Sequence, residues 1–135
     1  IICIIIFAAV AIRLIWLFLC PYAFMDGDTA TMGFTALRIL YGHFPIFFYG
    51  QCYLAPAESY LIALSFIMFG VNSISLQIVP LVIMLCTGWV IYLLGKELKN
   101  REVGFWAMVY FIFPPLQLFF RSFKSQGYIP ELMFL

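Results

Sequence analysis

Residues 73 to 95 run "SISLQIVPLVIMLCTGWVIYLLG" without one charged side chain. As a helix this stretch is about 34 Å long at ~1.5 Å per residue, enough to cross a hydrocarbon core of ~30 Å. Immediately after it comes "KELKNR", which carries Lys96, Lys99 and Arg101, the densest basic cluster in the chain. A long uncharged run closed by a basic turn predicts a transmembrane helix whose far end lies in the cytoplasm. Composition agrees. The chain of 135 residues is 66% hydrophobic, 20% aromatic and only 10% charged, more apolar surface than a soluble domain of this size can bury.

The remaining apolar segments extend this to an all-α polytopic membrane protein, a single transmembrane domain over 1–135. Residues 1 to about 20 form a first span, apolar except for Arg13. That run is too long for a signal-peptide core, and no small-residue cleavage pattern follows it. Further spans are expected at 103–120 and, truncated, at 128–135, so the chain reads as the N-terminal part of a longer protein.

Two shorter helices are expected in the first loop, at 28–41 and 57–69. The first ends in "YGHFP", with a Gly stop and a Pro beyond it. The second, "AESYLIALSFIMF", is opened by Pro56 and closed by Gly70. At about 20 Å it is too short to span and should lie at the membrane surface or dip into it.

Counting spans from the basic turn places loops 21–56 and 121–127 on the outer face. Asp26, Asp28, Arg38, Glu58, Arg121, Lys124 and Glu131 then all lie on the outer side, brought there by separate segments. Polar groups cost free energy in so apolar a protein, and in membranes they mark functional sites.

Each has a structural role open to it as well. Asp28 is a candidate N-cap, Asp26 a solvated turn residue, and Glu58 a first-turn carboxylate favoured by the helix dipole. Arg38 and Arg13 can snorkel, Arg13 equally well finding a buried partner; Lys124 can simply be solvated, and His43 has no assigned role.

Chemically, a carboxylate at the membrane surface can serve as a general base or hold a divalent ion, which makes Asp26 and Asp28 the possible metal ligands. Arg121 and Lys124 are suited to a phosphate. No cofactor is required by any motif. The four cysteines form no CxxC pair, and a net charge of +1 gives no reason to expect nucleic acid.

The order of elements resembles the GT-C superfamily of polytopic glycosyltransferases, which use polyprenyl-phosphate sugars. The branch with protein O-mannosyltransferases and aminoarabinose transferases is the most similar. A group of bacterial membrane proteins in it reads "D-x-D-E-A…G…IL-x-G-x-x-P-x-F-F-Y-G-Q-x-Y…E-x-Y". Here those positions are Asp26, Asp28, Gly33, Ile39 and Leu40, Gly42, Pro45, "FFYGQCY" at 47–53 and "ESY" at 58–60.

The resemblance implies two juxtamembrane helices in the first outer loop and a catalytic carboxylate at Asp28. It also implies a second acidic residue at Glu131, in "GYIPEL", and Asp26 completes the expected catalytic set. The substrate-binding set would be Arg121, Glu58, Tyr53, Gln51 and Lys124. The chain departs from the pattern in having Thr29 where the family has Glu, and "YLAP" near the place of the mannosyltransferases' "HPP".

The function so implied is an inverting transfer of sugar from a polyprenyl-phosphate donor to an acceptor outside a bacterial plasma membrane. Membrane lipid is the other expected partner. The alternatives are a transporter or flippase that passes an anionic lipid-linked ligand, and a non-catalytic membrane scaffold.

Overall fold

The computed structural model of the chain describes residues 2–22, 25–47, 56–115, 119 and 123–124, with side chains from Ile6 onward. It is all-helical: α1 (Ile2–Leu19), α2 (Gly27–Leu40), α3 (Ala57–Phe69), α4 (Ser73–Leu98) and α5 (Arg101–Ile112), with no strand among the described residues.

Helix ends follow from local chemistry. Asp26, Asn72 and Asn100 cap α2, α4 and α5, each accepting from the backbone N–H three residues on. The end of α2 is a Schellman turn. Gly42 takes a left-handed φ of 87°, its N–H donates to the Ile39 carbonyl, and the His43 N–H donates to that of Arg38. At the end of α3, Gly70 adopts φ 79°, which an L side chain rarely takes. The expected bounds of α3 thus coincide with those observed.

Among the described residues, three apolar clusters hold the helices together. Met32, Ala36, Ile62, Phe66, Leu76 and Val79 join α2, α3 and α4. Ala9, Tyr92, Met108 and Ile112 join α1 to the α4–α5 hairpin. Leu17 of α1 packs with Phe123, flanked by Ile74 and Phe119.

In the hairpin the two backbones nearly touch. A Cβ on Gly95 would lie 2.6 Å from the Gly104 Cα, and one on Gly104 would collide with the Tyr92 carbonyl. Small residues of this kind allow close helix approach where lipid supplies no hydrophobic drive between helices.

Among the described residues, α4 is the one helix long and apolar enough to cross a membrane. Four spans are therefore not established. Of the span expected at 103–120 the described residues show α5, which stops at Ile112 after 12 residues, about 18 Å. Pro114 and Pro115 are the cause. A residue before proline is driven out of the α region, and proline has no N–H to continue the ladder. Beyond them the Phe119 N–H donates to the Pro115 carbonyl at 3.0 Å. The expected segment at 128–135 lies outside the described residues.

Candidate functional site at the N-terminus of α2

Between α1 and α2 the chain turns through Pro21, and its carbonyl is gripped from α4. Gln77 Nε2 donates to it at 2.7 Å and the Ser73 hydroxyl donates to it too. Gln77 is fully buried, and its own carbonyl oxygen has no partner among the described residues. The turn at Pro21, five residues before Asp26, is thereby tied to the start of α4. Burying an amide this completely is tolerable because its N–H groups are spent on the loop carbonyl and on Ser73 Oγ, 2.9 Å away.

The two aspartates then part company. Asp26, not Asp28, is the N-cap: its Oδ1 accepts from the Thr29 N–H at 3.0 Å and from the Thr29 hydroxyl at 2.8 Å. Its Oδ2 accepts from Lys124 Nζ at 2.8 Å. Both side chains of this ion pair are 31% exposed. Burial raises the Asp26 pKa, but the hydrogen bonds from Lys124 and Thr29 and the charge of Lys124 outweigh it. The carboxyl is held at about 2, below its ordinary 3.8. The N-cap role open to Asp28 and the turn role open to Asp26 are both corrected by this arrangement. Lys124, open to simple solvation, is instead bonded across the fold.

Asp28 sits in the first turn of α2, exposed, with no hydrogen bond or ion pair among the described residues. A negative charge is favoured there by the helix dipole. It is the carboxylate of the pair whose oxygens are open to a visiting group.

The other expected site residues divide sharply. Glu58 is in the first turn of α3, as the helix-dipole role required, but it is buried, 1% exposed, and not presented to a ligand at the surface. Next to it, the Ser59 hydroxyl meets Met32 Sδ at 3.0 Å, so the start of α3 packs about one turn along α2 from Asp28. Arg38, in the last turn of α2, is exposed as snorkelling requires. Gln51, Tyr53, Arg121 and Glu131 lie outside the described residues.

Arg13 is not at the surface. It is 0% exposed, donating from Nη2 to the Ile112 carbonyl at 2.6 Å and, more weakly, from Nη1 to Ala9 at 3.4 Å. Its guanidinium lies 4.7 Å from the centre of the Phe119 ring, cation–π distance. A charge inside a predicted span was the sequence signal; its partners were not readable from it.

A divalent ion suits the cluster poorly. Both Asp26 oxygens are already engaged, so a metal would have to displace Thr29 and Lys124, and no group of three or more His, Cys, Asp or Glu stands together among the described residues. What the arrangement can do is present one open carboxylate beside a neutralised, rigid partner. No protein family, curated protein or solved structure matches the chain.

Proposed function

We propose that the chain is part of a multi-pass membrane glycosyltransferase, with Asp28 as the general base at the outer membrane surface. The observation that carries this is the division of labour within "DGD". Asp26 is consumed in capping and in the bond to Lys124, while Asp28 stays open in the first turn of the same helix.

A general base must reach the acceptor and keep its position while doing so. The cap at Asp26 fixes the helix start, and the Pro21 carbonyl bonded from α4 fixes the loop before it. The acceptor hydroxyl would give its proton to Asp28 as its oxygen bonds to the sugar's anomeric carbon. The bond from that carbon to the donor phosphate breaks, and the phosphate leaves with the electron pair. Inversion follows from attack opposite the leaving group. Support for the sugar-phosphate donor comes from the "D-x-D…IL-x-G-x-x-P-x-F-F-Y-G-Q" resemblance, and for the lipid setting from the apolar α4 and the exposed apolar side chains of α3.

The test compares Asp28→Asn with Asp26→Asn in transfer from a polyprenyl-phosphate sugar, in protein reconstituted into vesicles. Asp28→Asn should lower transfer about 10²–10⁴-fold, the usual contribution of a general base, with unfolding unchanged. Asp26→Asn keeps a capping oxygen and should lower it far less. Near-normal transfer by Asp28→Asn would remove the assignment.

A further inference from the structure

The fully buried residues Ala9, Arg13 and Leu17 are spaced four apart along α1 and so share one face. Each touches a successive part of the chain's last described stretch. Ala9 packs with Met108 and Ile112, Arg13 binds the Ile112 carbonyl and covers Phe119, and Leu17 packs with Phe123. Phe119 and Phe123 in turn meet edge to face, with ring centres 5.3 Å apart. Lys124, the next residue, bonds Asp26.

Arg13 occupies the point where this stretch would otherwise come loose. At Ile112 α5 ends, and the last carbonyls of a helix have no donor within it. A guanidinium supplies donors and a flat cation for the aromatic face at once, which an ammonium does not. No carboxylate pairs with Arg13 among the described residues, so its charge is spent on this docking.

We propose that Arg13 is a positioning residue: by capping the Ile112 carbonyl and stacking on Phe119, it seats Phe119 and Phe123 against α1 so that Lys124 reaches Asp26. The purpose of that pair rests on the outer-face site proposed above, but the seating does not, and it can be measured without any substrate.

The experiment places cysteine pairs in full-length protein lacking the native cysteines and bridges them with a short bifunctional thiol reagent. Asp26→Cys with Lys124→Cys reports the seating. Pro45→Cys with Tyr60→Cys, neighbours through the Tyr60 hydroxyl to Pro45 carbonyl bond of 3.0 Å, serves as the reference. Adding Arg13→Met should lower the 26–124 yield about tenfold, as loss of one charged hydrogen bond would, and leave the 45–60 yield unchanged. Arg13→Lys keeps the charge but loses the planar fork, and should lower the 26–124 yield about threefold with the reference intact.

An unchanged 26–124 yield in Arg13→Met overturns the proposal. So does a loss shared equally by both pairs in both variants, which would make Arg13 a residue of general stability. If Arg13→Met does not fold, Arg13→Lys decides: selective loss supports the proposal, and no loss overturns it. Glycosyl transfer enters none of these readouts, so the failure of that function would leave the result standing.

Discussion

The two ends of α4 are held by opposite means. At its start, contact is made by side chains: Gln77 and Ser73 hold the Pro21 carbonyl, and Ile74 packs against Leu17 and Phe123, with the Asp26–Lys124 pair nearby joining the α2 cap to the chain beyond α5. At its end the closest approach is between backbones, Gly95 against Gly104. Charge follows the same division. Lys96, Glu97, Lys99, Arg101 and Glu102 around the hairpin turn are all exposed, whereas Arg13 and Glu58 are buried and Asp26 and Lys124 partly so. Exposed charges orient a hairpin without specifying contacts; charges withdrawn from solvent must find partners, and so they organise a site.

The comparison breaks most visibly at the glycines. Gly104→Ala should destabilise by about 1–3 kcal/mol or more, because the added methyl meets the Tyr92 carbonyl and the Lys96 nitrogen and backbone cannot yield as a side chain can. Gly27→Ala, where no atom lies within 4 Å of the added carbon, should be near neutral or mildly stabilising. Thermal unfolding in detergent measures both. Equal melting temperatures would mean that the hairpin is not set by backbone approach.

At the other end, Asp26→Ala should cost about 1 kcal/mol for the cap and at most about 1 kcal/mol more for the half-exposed ion pair. Asp26→Asn should lose only the second part. If the two substitutions prove equally costly, the cap contributes little and the bond to Lys124 is what matters.

A pH series sharpens the contrast further. The folded Asp26 carboxyl titrates at about 2 against an ordinary 3.8. Its stabilisation is therefore complete above about pH 4 and is lost as pH falls toward 2, because the unfolded chain takes up the proton first. Lys124→Met should flatten stability across that window, read as the difference in unfolding midpoint between the two proteins. A curve unchanged by Lys124→Met would break the assignment of the shift to that contact.

The smallest effect belongs to the exposed turn. Replacing Lys96, Lys99 and Arg101 with Gln, singly, should change stability by no more than about 0.5 kcal/mol, as for surface charges without a fixed partner. A loss above 1 kcal/mol at any of them would show that this end too depends on side-chain contacts.

Much of the helical plan could be read from the residues. Pro56 and Gly70 bracket α3, "YGHFP" ends α2, and the uncharged run with its basic turn gives α4. The start of α2 was placed one residue late because Asp26 and Asp28 are equally good caps by type. Each has a Thr three residues on, so spacing does not choose between them; Asp26 takes the N–H and hydroxyl of Thr29 and is held from across the fold by Lys124, while Thr31 donates its hydroxyl to the Gly27 carbonyl. The end of α5 is not legible in hydropathy, which runs on through Pro114 and Pro115, whereas their missing N–H groups stop the helix at Ile112.

By itself, the sequence determined where helices form, where they stop and which of them is apolar enough for lipid. These depend on neighbours within a turn or two, through hydrogen bonds of fixed short range and through the continuous run of apolar side chains. Only the tertiary structure decided which aspartate is tied down and which is open, and what a buried arginine is for. Those outcomes hang on Lys124 meeting Asp26 across 98 residues and on Arg13 meeting Ile112 across 99. No local pattern records such contacts, because they exist only once packed helices have brought distant groups within hydrogen-bond reach.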